Sequence, residues 1–126
     1  MSFTLDQGQL QALQGKILVS ASSEAQHGCV TKVVLSFGNA GLTIAVNPDT
    51  DEVEVRWLNP CQLASDPCRG LMTFVGQKLG WTWSARNDRG YRDAFLLSFE
   101  ETVVPQVAFV GVAGELRIRL LSAQGG

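Results

Sequence analysis

Slid along itself by 62 residues, the chain meets itself. Residues 8 to 37 fall on residues 70 to 99 without a gap: Gly8 meets Gly70, Lys16 meets Lys78, Gly28 meets Gly90, and Leu35-Ser36-Phe37 meets Leu97-Ser98-Phe99. Apolar positions follow the same alignment, with Leu10 on Met72, Leu13 on Val75, Ile17 on Leu79 and Val33 on Phe95. At an offset one residue longer, EVEVRW (Glu52 to Trp57) falls on ELRIRL (Glu115 to Leu120). Self-similarity at a fixed period is the mark of repeated structural units. Two halves of like construction follow, at about 4–58 and 66–122, joined by a Pro-containing connector at about 58–66.

A chain of 126 residues fits one domain, 1–126, and each half of about sixty residues would be marginal alone. The connector is therefore a link within one core. Apolar residues at 45% and charged residues at 17% lie far from the composition of a disordered chain.

Each half reads as a short helix followed by four strands. Thr4 with Gln7 three residues later forms a capping box that opens a helix through Leu10 and Leu13. Asp66-Pro67 offers an N-cap and a first-turn proline for the second helix, up to Val75. The strand pairs are KILVSAS and KLGWTWSA, VTKVVLSF and YRDAFLLSF, LTIAV and VAFVGV, then EVEVRW and ELRIRLL. Short joints at Gly38 to Gly41, Asn47 to Glu52, Asn87 to Gly90 and Ala113-Gly114 force antiparallel meanders, because parallel neighbours need a long crossover. The expected fold is α+β: about eight antiparallel strands in two duplicated four-strand halves, each preceded by a short helix.

Alternation assigns the faces. Val53, Val55 and Trp57, with Leu116, Ile118 and Leu120, point inward, which leaves Glu52, Glu54, Arg56 and Glu115, Arg117, Arg119 as outward rows able to meet at a sheet or subunit junction. The expected core is Ile17, Val33, Leu35, Phe37, Ile44, Val53, Val55, Leu79, Phe95, Leu97, Phe99, Phe109, Leu116 and Ile118.

Several function classes drop out on composition. A net charge of −2 with no run of like charge leaves no basic stripe for nucleic acid and no basic amphipathic helix for a membrane surface. No apolar run reaches the ~18 residues of a spanning helix, and the N-terminus lacks a secretory pattern, so a cytoplasmic protein is expected. Cys29, Cys61 and Cys68 match no zinc or redox spacing, and His27 is the only histidine; Gly28 between His27 and Cys29 signals a turn rather than a metal or nucleophile pair. No cofactor and no metal is implied.

The segment from Gly80 to Phe99 concentrates the chemically distinctive side chains. Leu79, Trp81 and Trp83 share one face of a strand by alternation, in places where the repeat has Ile17, Val19 and Ala21, so the two indoles replace Val19 and Ala21. That makes them either core residues or an aromatic wall. Arg86, Asn87 and Arg89 sit at the hairpin tip, while Tyr91 and Asp93 share a face of the returning strand, with Asp93 able to meet Arg86 or Thr82. Trp81, Trp83, Arg86, Asn87, Arg89, Tyr91 and Asp93 are the candidate ligand-binding or partner-binding residues. For general acid/base work the candidates are Asp49, Asp51 and Glu52 in a turn, Asp93, and Glu100-Glu101. Without a G-x-S-x-G, a phosphate-cradling glycine loop or an H-E-x-x-H, no catalytic residue is assigned.

The stretch GQKLGWTWSARNDRGYRDAFLLSF, with DTDEVEV upstream, resembles a signature of a family of small, uncharacterised bacterial proteins, built from a G-x-x-L strand, an N-x-x-G-Y-x-D turn and an apolar strand. The resemblance implies a protein of mobile-gene-cassette or neighbourhood type and carries no assigned activity. The expected function is a non-enzymatic binding or interaction protein forming a homodimer through its edge strands. The alternatives are a small-molecule binder with a pocket beside Trp81, Trp83 and Tyr91, and behind it a hydrolase-like enzyme using Asp49, Asp51 or Asp93.

Overall fold

The computed structural model describes residues 2–4, 13–38, 40–58, 66–86, 92–100 and 103–121. Ten strands follow one another: β1 (Ser2–Thr4), β2 (Ser20–Gln26), β3 (Cys29–Ser36), β4 (Gly41–Val46), β5 (Val53–Leu58), β6 (Asp66–Pro67), β7 (Leu79–Arg86), β8 (Arg92–Phe99), β9 (Val107–Val112) and β10 (Glu115–Leu120). They form two antiparallel sheets, ordered β1-β5-β4-β3-β2-β6 and β10-β9-β8-β7. Each half thus contributes one four-strand meander in the same order, and β1 and β6 add short strands to the two edges of the first.

Turn chemistry explains the meanders. His27-Gly28 and Ala113-Gly114 both adopt positive φ at two successive residues, the twist that closes a two-residue hairpin. The β4–β5 joint is held by Asn47: its Oδ1 accepts from the Asp49 N–H (2.9 Å), its carbonyl from the Asp51 N–H (2.8 Å), and its own N–H donates to Glu52 (2.8 Å).

The inner faces of the two sheets meet in one cluster that contains Val33 and Leu35 of β3, Leu42 and Ile44 of β4, Phe95, Leu97 and Phe99 of β8, and Val107 and Phe109 of β9. The equivalence Val33/Leu35/Phe37 with Phe95/Leu97/Phe99 carries through to the core, where all six are buried. Each buried side chain of this size contributes about 1.5–3 kcal/mol of transfer free energy, so these rows dominate the stability of the fold. Of the expected core residues, Ile118 is partly buried against the cluster. Ile17 is the exception: it is 50% exposed, and Leu18 takes the buried place.

The exposure of Ile17 has a topological reason. Residues 16 to 18 do not begin β2; they cross to the other half. Ile17 bridges Lys78, Leu79 donates to the Lys16 carbonyl (2.9 Å), Gly15 donates to Leu79 (2.7 Å) and Leu18 to Gln77 (2.9 Å). Lys16 with Lys78 and Ile17 with Leu79 are equivalent positions in the self-alignment, so the crossing joins matching segments of the two halves.

The α+β expectation is overturned, because among the described residues helical structure is confined to the four-residue α1 (Arg69–Met72) and the end of a turn at Leu13. Thr4 is no helix cap; it pairs with Arg56 as part of β1, and most of the helix expected after it lies outside the described residues. Asp66-Pro67 is no cap either: it forms β6 against Ser22 and Ser23, and Cys68 stands at the N-terminus of α1 without a side-chain capping bond. Both misreadings have one cause, that Thr, Asp and Pro serve an edge strand as readily as a helix start. Beyond α1, Phe74 stacks on Phe99 at a centroid separation of 4.6 Å and closes that end of the core.

In the outward charged rows, Arg56 pairs with Glu54 (3.4 Å) and Arg117 with Glu115 (3.8 Å), each along its own strand. Among the described residues no helix is long and apolar enough to cross a membrane.

Candidate functional site

A glycine inside a strand weakens it and marks a bulge or a close backbone approach. Gly80 does both. Leu79 is the partner of Phe99 and Thr82 of Leu97, so three residues of β7 advance against two of β8 and the register shifts between them. A β-carbon at Gly80 would lie 2.5 Å from the Glu100 carbonyl and 3.0 Å from Ser98 Oγ, which excludes any other residue without movement. Ser98 is fully buried, and its hydroxyl accepts the Trp81 N–H (3.0 Å) in place of a regular ladder bond.

The bulge reverses the parity of the strand. Continued from the buried Leu79, period-2 alternation carries Trp81 and Trp83 toward the core; after the shift, Thr82 and Ser84 stand on the core-side rows opposite Leu97 and Phe95, and Trp83 pairs with Leu96. Trp81 is consequently 49% exposed: of the two readings left open, core or aromatic wall, it takes the second. The signal for it was in the sequence, as the lone glycine between Leu79 and Trp81.

Where β8 ends, Glu100 takes a left-handed conformation (φ 60) that is uncommon outside glycine. Its N–H donates to the Lys78 carbonyl (2.7 Å) and its carboxylate accepts the Lys78 N–H (3.3 Å), a two-way clasp that fixes both residues. The clasp, the bulge and the crossing segment enclose a cleft of about 800 Å³ lined by Gln14, Gly15, Lys78, Leu79, Gly80, Trp81, Glu100 and Val103. Ile17 faces Lys78 across the bridge and so extends the same surface. The cleft offers an indole plane and a valine beside an amide, an ammonium and a carboxylate. That mixture suits an apolar or aromatic group carried on a polar backbone.

Of the residues expected to form a hairpin site, Trp81 lines this cleft. Trp83 does not; it is half-buried on the outer side of the sheet. Arg86 closes β7 opposite Arg92, about 17 Å of backbone along the strand from Trp81 at ~3.3 Å per residue. Asn87, Arg89 and Tyr91 lie outside the described residues. Asp93 is half-buried on β8 and does not meet Thr82, whose partner is Leu97. Lys78, Gln14 and Val103 were not expected; their contribution depends on the crossing, which alternation alone does not reveal.

The carboxylates expected for catalysis are dispersed. Asp49 is exposed in the β4–β5 turn, and Glu52 leads into β5. Asp51 accepts the Gly114 N–H (2.6 Å), tying the β4–β5 turn to the β9–β10 turn. Gly111 next to that turn carries the Asp51 carbonyl directly against its α-carbon. Glu100 sits at the other end of the same sheet, some 23 Å away along β8 at ~3.3 Å per residue from Asp93. Glu101 lies outside the described residues. His27 and Cys29 flank a hairpin turn, and among the described residues no three His, Cys, Asp or Glu side chains are grouped to hold a metal ion. Burial raises the Cys68 thiol above its ordinary range, against a smaller opposing effect of its backbone hydrogen bond with Leu71.

No curated protein and no solved structure matches the chain. The family model described as a family of unknown function, DUF6334, matches residues 1–125, and the chain belongs to that family.

Proposed function

We propose that this chain is a non-enzymatic interaction protein that acts as a homodimer in the cytoplasm and engages a partner at the cleft beside Trp81. The observation that carries the reading is Trp81 itself, half exposed at the mouth of a cleft while three phenylalanines nearby are almost fully buried. Tryptophan is the residue most often found to anchor an interface, because it brings a large apolar area at the loss of few rotamers. Its surroundings support the same reading: Ile17, Val19 and Val103 are exposed, and Lys78 and Glu100 stand at the rim. An apolar patch edged with charge is the composition of a binding surface.

Other features are consistent with the location and class. Cys29 and Cys68 are free thiols, as befits a reducing compartment. A net charge of −2 gives no attraction for nucleic acid or an anionic membrane. The dispersion of Asp49, Asp51, Asp93 and Glu100 disfavours paired carboxylate chemistry.

One observation favours a second reading, a small-molecule binder: the cleft volume of about 800 Å³ lies within the range of ligand pockets, ~300–1,000 Å³. A selection of random peptides on the immobilised protein, counter-selected against Trp81→Ala, tests the first reading. Enriched sequences that carry an aromatic or large aliphatic residue and lose binding to the variant support it; no enrichment over the variant removes it. A thermal-shift screen of small aromatic acids and amines tests the second.

A further inference from the structure

Sheet edges expose unpaired backbone groups, and proteins blunt them with short strands, proline, charge or bulges. Three of the four edges here are blunted. β1 has three residues, β6 has two and contains Pro67, and β10 presents Glu115, Arg117 and Arg119 at alternate positions. The fourth, β7, has eight residues and no charge from Leu79 to Ala85.

Hydrogen-bond directions locate the open part of that edge. Lys78 accepts from Glu100, and Trp83 is the partner of Leu96, so these residues face β8. Leu97 directs its carbonyl to Gln106 on the β9 side, so its partner Thr82 turns its own N–H and C=O away from β8. Ser84, two residues on, does the same. Up to Leu79 this outer edge is used by Gly15 and Lys16. From Gly80 to Arg86, no described residue pairs with it, and Ser84 is exposed.

We infer that β7 is the dimerisation strand, two copies pairing antiparallel along Gly80–Arg86 across a two-fold axis at Trp83. The register follows from the window. The crossing segment closes one end at Leu79 and β7 ends at Arg86, so the midpoint of the window is Trp83. A two-fold there sets Thr82 opposite Ser84 of the second copy, the two residues whose backbone groups face outward, and so forms ladder bonds at both. Gly80 then faces Arg86, and no like charges are opposed. The alternative centred on Thr82 would set Lys78 against Arg86. The occupant is therefore a second copy, since an uncharged, self-complementary edge needs no partner of other composition. The inference rests on the homodimer part of the proposed function; Gly80 and Trp81, which line the cleft, lie at one end of the paired window.

Light scattering coupled to size exclusion, over a hundredfold range of concentration, reads the mass of the wild-type protein, Ser84→Lys and Trp83→Cys. The expected result is a dimer for wild type and at least a tenfold weaker dimer for Ser84→Lys, about 1.4 kcal/mol or more, with an unchanged melting temperature at monomer concentrations. Trp83→Cys should link to itself under mild oxidation where the wild type does not, because opposed residues at a non-hydrogen-bonded site bring α-carbons to about 4.5 Å, within disulfide reach. A wild-type monomer throughout overturns the inference, as does a dimer that Ser84→Lys leaves intact. A lowered melting temperature in monomeric Ser84→Lys also overturns it, by showing the edge covered within the chain. The cleft reading is decided separately, by the peptide selection.

Discussion

Gly111→Ala tests the docking of the two sheet ends. The added β-carbon would land on the Asp51 carbonyl and within 3.1 Å of a Val46 methyl, so the β4–β5 turn must lift from β9. Overpacking of this kind costs about 1–3 kcal/mol. Lifting the turn also breaks the 2.6 Å hydrogen bond from Gly114 to the Asp51 carboxylate. A bond to a charged acceptor is worth about 1.5–3 kcal/mol. Together the loss is about 2.5–6 kcal/mol, or roughly 10–24 °C in Tm at about 4 °C per kcal/mol for a domain of this size. The opposite sign is expected of an unconstrained strand glycine, where alanine stabilises by about 0.4–1 kcal/mol through the unfolded chain. Urea unfolding followed by Trp fluorescence measures the difference, with the exposed Val112→Ala as control. Asp51→Asn completes a double-mutant cycle, and its own cost should shrink by about 1 kcal/mol in the Gly111→Ala background, where the bond is already broken. A Gly111→Ala protein within about 2 °C of wild type, or costs that simply add, would refute the docking argument.

Three further outcomes follow from the same description. Ser98→Ala leaves the Trp81 N–H without its buried acceptor and should cost about 1–3 kcal/mol in urea unfolding, while the exposed Trp81→Ala should cost less than about 1 kcal/mol and abolish binding of cleft-selected peptides. Ile17→Ala should be close to neutral and Leu18→Ala should lose about 2–5 kcal/mol, the reverse of what alternation from Lys16 implies. Peptide mapping after alkylation of the native protein should find Cys29 modified before the buried Cys68. Because the folded Cys68 thiol ionises at higher pH than the unfolded one, its contribution is fully present below the unfolded pKa of about 8.5 and is lost as pH rises toward the folded value. Stability should therefore fall on the alkaline side less steeply in Cys68→Ala.

The meanders were readable because their determinants are local. Val33, Leu35, Phe95 and Leu97 alternate cleanly, and Gly28 and Gly114 sit where hairpin turns require positive φ. Residues whose roles depend on distant partners were not readable. Thr4 looks like a helix cap until β5 lies beside it, and Asp66-Pro67 until β2 does. Lys16 to Leu18 continue the alternation of β2 in sequence yet belong to the crossing, which inverted the expectation for Ile17. At the candidate site, Trp81 stood out by composition, whereas Lys78, Glu100 and Val103 joined it through the bulge and the crossing.

The crossing at Gly15–Leu18 with Gln77–Leu79 also sets a folding order. Every neighbouring pair within β2–β5 and within β7–β10 is adjacent in sequence, so each meander closes short loops at small entropic loss. The crossing joins residues about sixty apart, and its few hydrogen bonds reward that closure only once both inner faces are formed and can bury each other. The long-range contacts thus form last, and the cleft they shape exists only in the fully folded chain. The proposed recognition at Trp81 would then be coupled to the integrity of both halves: a partially folded chain with one meander intact presents the indole but not the wall opposite it.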